Sequence, residues 1–134
     1  MVSTAQDYFQ FLHMLRNKGV LNGERILSRK TVELMTMNHL PDNADLSRMG
    51  QKVFSEMPFD GIGFGLGFSV VLDLSAAQII GSPGEYSWGG AASTTFWVDP
   101  KEDLVVIFLT QLVPSSAYPL RRELRVLTYQ SIVD

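Results

Sequence analysis

The sequence predicts an α+β fold: two N-terminal helices, an antiparallel sheet of about four strands, and a C-terminal helix, with the helices packed on the sheet. Three observations predict it. Apolar residues recur at helical spacing near both ends of the chain. Between those ends, short apolar or alternating stretches are separated by Gly, Pro and Asp, as in strands joined by turns. The 134 residues, 46% of them apolar and 19% charged, are enough for a single domain, 1–134, with its own core.

Each element has a local reason. Ser3-Thr4-Ala5-Gln6 has the capping-box form, and Ala5, Tyr8, Phe9, Leu12 and Leu15 follow at helical spacing up to Gly19. This predicts a helix over 4–18. Asn22-Gly23 marks a tight turn between Gly19-Val20-Leu21 and Arg25-Ile26-Leu27. Ser28 can cap a second helix, 29–38, which Pro41 limits. Residues 41–60 are polar and read as a long loop. Gly61-Ile62-Gly63-Phe64-Gly65-Leu66-Gly67-Phe68 alternates with period 2, which predicts one strand, 62–72, with a bare face crossed closely by another segment. It is not a dinucleotide fingerprint, because Leu66 and Phe68 stand where a third Gly is needed. Strands are predicted over 85–91, 93–98 and 104–110, the last buried on both faces because Leu104–Leu109 is continuously apolar. Pro119 opens a last helix, 119–132, with Leu120, Leu124, Leu127 and Ile132 as its inner face.

Composition excludes several function classes. A net charge of -3 and no basic stripe argue against nucleic acid as a partner. Arg121, Arg122 and Arg125 read as a solvated helix face. Without cysteine there is no disulfide or thiolate chemistry. No apolar run approaches the ~20 residues of a membrane span, and Met1–Asp7 lacks the pattern of a signal peptide, resembling instead a helix start from the middle of a longer chain. His13 and His39 have no metal-ligand spacing and read as ordinary surface or half-buried residues, so no metal or other cofactor is expected. Met14, Met35 and Met37 read as core filling.

The most informative stretch is "GEYSWGGAASTTFWVDP", residues 84–100, where two glycines follow Trp88 inside an expected hairpin. Taken with "VSTAQDYFQFLHML", "GVLNGERILSRKTVELM" and "GFGLGF", in that order along the chain, it resembles the C-terminal part of the serine β-lactamase-like family. That family includes class C β-lactamases, D-alanyl-D-alanine peptidases and related esterases. The resemblance implies a partial β-lactamase/transpeptidase-like fold, lacking most of the helical half and the first two sheet strands.

It also implies which chemistry is present. The family's nucleophile and general base lie in Ser-x-x-Lys. Here Leu15, Leu27, Met49 and Val98 stand three residues before the four lysines, so the motif is absent. Tyr129-Gln130-Ser131 matches Tyr-x-Ser formally, but in the terminal helix, and is read as chance. The family's Lys-Thr-Gly strand corresponds to Trp88-Gly89-Gly90, a variant resembling the esterase-like branch. A substrate on this strand would approach bare backbone, and the Ala91 N–H would take the oxyanion-hole position. Trp88 offers apolar area and one N–H rather than the positive charge of Lys, favouring ester or other amide substrates over penicillins.

The sequence therefore reads as a fragment of a serine hydrolase acting on a small-molecule ester, β-lactam or D-amino-acid peptide through an acyl-enzyme in the intact protein, and inactive alone. The other reading is a non-catalytic binding or scaffold module that keeps the groove beside Trp88. An apolar strand left at a sheet edge also predicts a homodimer or higher association, through that edge or through the exposed sheet face.

Overall fold

The computed structural model describes residues 3–49 and 59–133. Helix α1 (Ala5–Arg16) opens at Thr4, whose Oγ1 accepts from the Asp7 N–H at 3.1 Å and donates to Asp7 Oδ2 at 2.7 Å. The reciprocal cap is thus Thr4–Asp7, one residue beyond the expected Ser3–Gln6 pair. A hairpin of β1 (Val20–Leu21) and β2 (Glu24–Arg25) follows, with positive φ at both Asn22 and Gly23 as a type I′ turn requires. Helix α2 (Arg29–Met35) starts where Ser28 Oγ accepts from the Thr31 N–H. It stops short of residue 38 because the next residues bond to the sheet. The His39 N–H donates to Phe64 O at 2.8 Å, and Asn38 Oδ1 accepts from the Phe64 N–H at 3.0 Å.

The expected loop 41–60 contains two 3₁₀ turns, Pro41–Asn43 and Leu46–Met49, and its remainder over 50–58 lies outside the described residues. The single strand expected over 62–72 is instead a hairpin, β3 (Ile62–Phe64) against β4 (Ser69–Val71). Gly67, at φ +103°, supplies the reversal that period-2 patterning hid. The close crossing was legible. A Cβ on Gly63 would fall 2.6 Å from the Asn38 side chain, and one on Gly65 would collide with the Met35 carbonyl. A short helix unmarked by periodicity, α3 (Leu74–Ala77), is capped by the Asp73 carboxylate.

Strands β5 (Tyr86–Gly89), β6 (Thr95–Asp99) and β7 (Leu104–Phe108) complete a five-stranded antiparallel sheet in the order β3-β4-β5-β6-β7, one strand more than expected. β7 is an edge strand among the described residues. It is half-buried along its whole length rather than buried on both faces.

One sheet face packs against α1 and α2. Val70, Tyr86, Phe96 and Val98 meet Leu12, Leu15 and Val32 there, with Val105 and Ile107 at the margin. Leu12 and Val98 are fully buried, and each large apolar side chain removed from water this way contributes roughly 1.5–3 kcal/mol. Met14 joins this core, whereas Met37, expected to fill it, is exposed.

The other face carries α4 (Leu120–Tyr129), and here the expected inner face is corrected. Leu127 and Ile132 point to solvent, while Arg125 and Tyr129 are buried. The reason is what they face. Arg125 grips the fully buried Glu85 with two 2.6 Å hydrogen bonds, and its guanidinium lies 4.7 Å from the Trp97 ring centroid. The Tyr129 hydroxyl sits 2.8 Å from Glu85 Oε2 and 2.8 Å from Asp99 Oδ2. Burial, then the Glu85 charge, drive its pKa well above the ordinary phenol range. The solvated-face reading therefore holds only for Arg122 of the three arginines. Tyr129, the formal Tyr-x-Ser match, is committed to this buried network.

Candidate functional site

A cleft of about 640 Å³ runs beside the end of β5. Tyr8, Trp88, Phe96, Ile107 and Leu109 give it apolar walls, and Ser3, Thr4, Thr94, Thr95, Thr110 and Gln111 add uncharged polar groups. None of the described lining residues is charged. The backbone of Gly89 and Gly90 forms part of the wall. Trp88 pairs with Phe96 across the β5–β6 ladder, is 40% exposed, and meets the Phe64 ring edge-on at 5.1 Å.

The two glycines are each closely approached. A Cβ on Gly89 would fall 2.8 Å from Arg121 Nη2, and one on Gly90 would collide with Thr94 Oγ1. The Gly90 N–H donates to Thr94 O at 2.8 Å, and the Ser93 N–H donates to Gly90 O at 3.1 Å. With Ser93 at φ +71°, this is a type I turn followed by a left-handed residue, a common three-residue hairpin loop. The loop is anchored to the segment after β7. Ser93 Oγ donates to Leu112 O at 2.8 Å, and the Leu112 N–H donates to Ala92 O at 3.1 Å.

Ala91 is exposed at the tip of this loop, and its N–H meets no acceptor among the described residues. The structure thus brings Trp88, Gly89 and Gly90 together along one cleft wall, and Ala91 follows them in the hairpin loop without itself lining the cleft. One residue that sequence reasoning missed is Arg121, whose Nη2 donates to Gly90 O at 2.8 Å and Thr94 O at 3.2 Å. Its signal was present: Arg121, Arg125 and Tyr129 repeat at i, i+4, i+8, the spacing of one helix face.

Both histidines are engaged away from the cleft. His13 stacks on Phe9 and lies 2.9 Å from the Asn17 amide, and His39 donates from Nε2 to Leu34 O at 2.7 Å. Among the described residues no group of three His, Asp or Glu side chains could hold a metal ion, and no helix is long and apolar enough to cross a membrane. What the cleft can do chemically is hold an uncharged apolar group against Trp88.

Comparison with known proteins bears on the family and the fold. The chain matches the family described as Beta-lactamase over residues 1–130. Two curated proteins of Mycobacterium tuberculosis are each 38% identical to it over 116 residues. They are the uncharacterized protein MT1414 of strain CDC 1551 / Oshkosh and protein Rv1367c of strain H37Rv. Those alignments cover 84% of this chain but only 28% of each relative, so the chain spans little more than a quarter of their length. Among solved structures, EstCE1, a hydrolase with promiscuous acyltransferase activity, superposes with a TM-score of 0.72 at 26% identity, over 95% of this chain and 30% of that one. The LovD9 mutant of simvastatin synthase from Aspergillus terreus superposes with a TM-score of 0.71 at 26% identity, over 97% of this chain and 36% of that one.

Proposed function

The chain belongs to the β-lactamase family, and from that premise we propose that it forms the substrate-strand side of a serine hydrolase active site whose nucleophile lies in a longer protein. The observation that carries this reading is the open cleft along Trp88, Gly89 and Gly90, with no charged residue in its described lining, followed in the next loop residue by the Ala91 N–H, which meets no acceptor among the described residues. The substrate would be a small ester or neutral amide with an apolar acyl part lying against Trp88. The carbonyl would be presented to the Ala91 N–H, which stabilises charge developing on its oxygen. The names of the structural neighbours, a hydrolase with acyltransferase activity and a simvastatin synthase, fit acyl transfer better than β-lactam capture.

One oxyanion donor is worth roughly 2.7–4 kcal/mol of barrier, but without Ser-x-x-Lys the chain has no activated nucleophile to form an acyl-enzyme. It should therefore neither turn over nor become acylated. Incubation with p-nitrophenyl butyrate, nitrocefin and a fluorescent penicillin, read by absorbance and intact mass, is expected to give no release and no adduct. An adduct on the purified chain would overturn the reading.

The cleft is open in this chain by itself, which favours a second reading as a binding module. A ligand-dependent change in tryptophan fluorescence with non-hydrolysable ester analogues would support it. The edge of β7, unpaired among the described residues, further suggests pairing between two copies. Sedimentation velocity across a wide concentration range should show self-association, and a strictly monomeric profile would contradict it.

A further inference from the structure

We propose that Arg121 is a positioning residue that sets the orientation of the Ala91 N–H by holding the carbonyl of the same peptide group. The inference rests on the reading of Ala91 as the oxyanion donor and deepens it. Gly90 O and the Ala91 N–H are the two ends of one peptide unit. That peptide is trans, so its N–H is antiparallel to its C=O and the six atoms share a plane. Whatever fixes the direction of Gly90 O therefore fixes the direction of the Ala91 N–H.

Two donors fix Gly90 O. The turn's own Ser93 N–H lies at 3.1 Å, and Arg121 Nη2 lies at 2.8 Å from helix α4. The second is shorter and charge-assisted, the stronger class of hydrogen bond. The same Nη2 reaches Thr94 O at 3.2 Å, on the other strand of the hairpin. Arg121 thus ties both arms of the loop to α4, and the Ala91 N–H is turned away from the carbonyl it holds. A cation on the carbonyl also draws electron density through the amide and strengthens the N–H as a donor. Gly89 belongs to this device: a Cβ there would lie 2.8 Å from Nη2 and 2.9 Å from the guanidinium carbon. The absent side chain at 89 makes room for the clamp.

The test is NMR on the whole 134-residue chain, uniformly labelled, comparing wild type, Arg121→Met and Arg121→Lys. Leu124→Ala serves as a control that loosens α4 without touching Gly90. In Arg121→Met the Gly90 carbonyl carbon and the Ala91 amide should shift selectively, with the Tyr86 and Ser87 resonances unmoved. Arg121→Lys should recover part of the shift, and Leu124→Ala should leave both resonances in place. A purely structural role would move the control as well. In a second arm, butylphosphonate, a tetrahedral anion with an apolar tail, is titrated into each chain. It should shift the Ala91 amide of wild type and bind Arg121→Met roughly ten- to a hundredfold more weakly, the size expected for a hydrogen bond to a charged group.

If the Gly90 and Ala91 resonances do not respond in Arg121→Met, the inference is overturned whatever the phosphonate does. If they respond but phosphonate never perturbs Ala91 in wild type, the oxyanion reading fails and the peptide clamp stands. Should Arg121→Met not fold, Arg121→Lys and Arg121→Gln carry the same readout.

Discussion

A Cβ on Gly65 would strike the Met35 backbone carbonyl, which is fixed by its bond from the Leu66 N–H. A Cβ on Gly84 would meet nothing within 4 Å, although φ there is +89°. Urea unfolding should separate these cases. Gly65→Ala should lose about 3 kcal/mol, because backbone cannot yield to overpacking. Gly84→Ala should lose about 1–2 kcal/mol from left-handed strain alone. Gly89→Ala is intermediate in kind, because its two nearest contacts are with the end of a flexible side chain, Arg121, and the Thr94 backbone carbonyl lies farther off at 3.1 Å. It should cost only about 1 kcal/mol while displacing Arg121, so the Gly90 carbonyl resonance should move more than the unfolding midpoint does. The sequence marked Gly65 and Gly89 as oddities in strands. Which neighbour each one admits was not legible, because Met35, Thr94 and Arg121 approach from elsewhere in the chain.

Helix α4 was placed correctly along the sequence and turned the wrong way in space. Its leucines suggested an apolar inner face, yet Arg125 and Tyr129 face the sheet because Glu85 and Asp99 are buried opposite them. Removing one member of a buried ion pair strands the other charge, so Arg125→Met should cost about 3–5 kcal/mol in chemical unfolding. The double variant Arg125→Met with Glu85→Gln should recover part of that loss. If the single variant were neutral, the pair would not anchor α4. The β3–β4 hairpin shows the same limit differently. A period of 2 is common to one long strand and to two short ones, and only Gly67 in its positive-φ conformation separates them.

At the scale of the whole molecule, the sheet is a middle layer, with α1 and α2 on one face and α4 on the other. Burial raises the phenol pKa of Tyr86 and of Tyr129. A folded pKa above the unfolded value of 10.0 gives stability that is fully present below about pH 10 and lost as pH rises beyond it. Urea unfolding should therefore show stability falling above about pH 10, more gently in Tyr129→Phe once both are compared with their own values at pH 8. Phenolate absorbance should appear later in the native chain than in urea, and superimposable titrations would contradict the burial. By itself, the sequence determined most of the element types, though not α3 or the β3–β4 hairpin, together with the family likeness and the absence of Ser-x-x-Lys, because caps, periodicity and motifs are local in the chain. Only the tertiary structure decided which face of α4 is inside, that β7 is a half-buried edge, and that Arg121 reaches the Gly90 peptide. Those depend on charges and backbone groups far apart in sequence, which meet only once the sheet is folded between its helices.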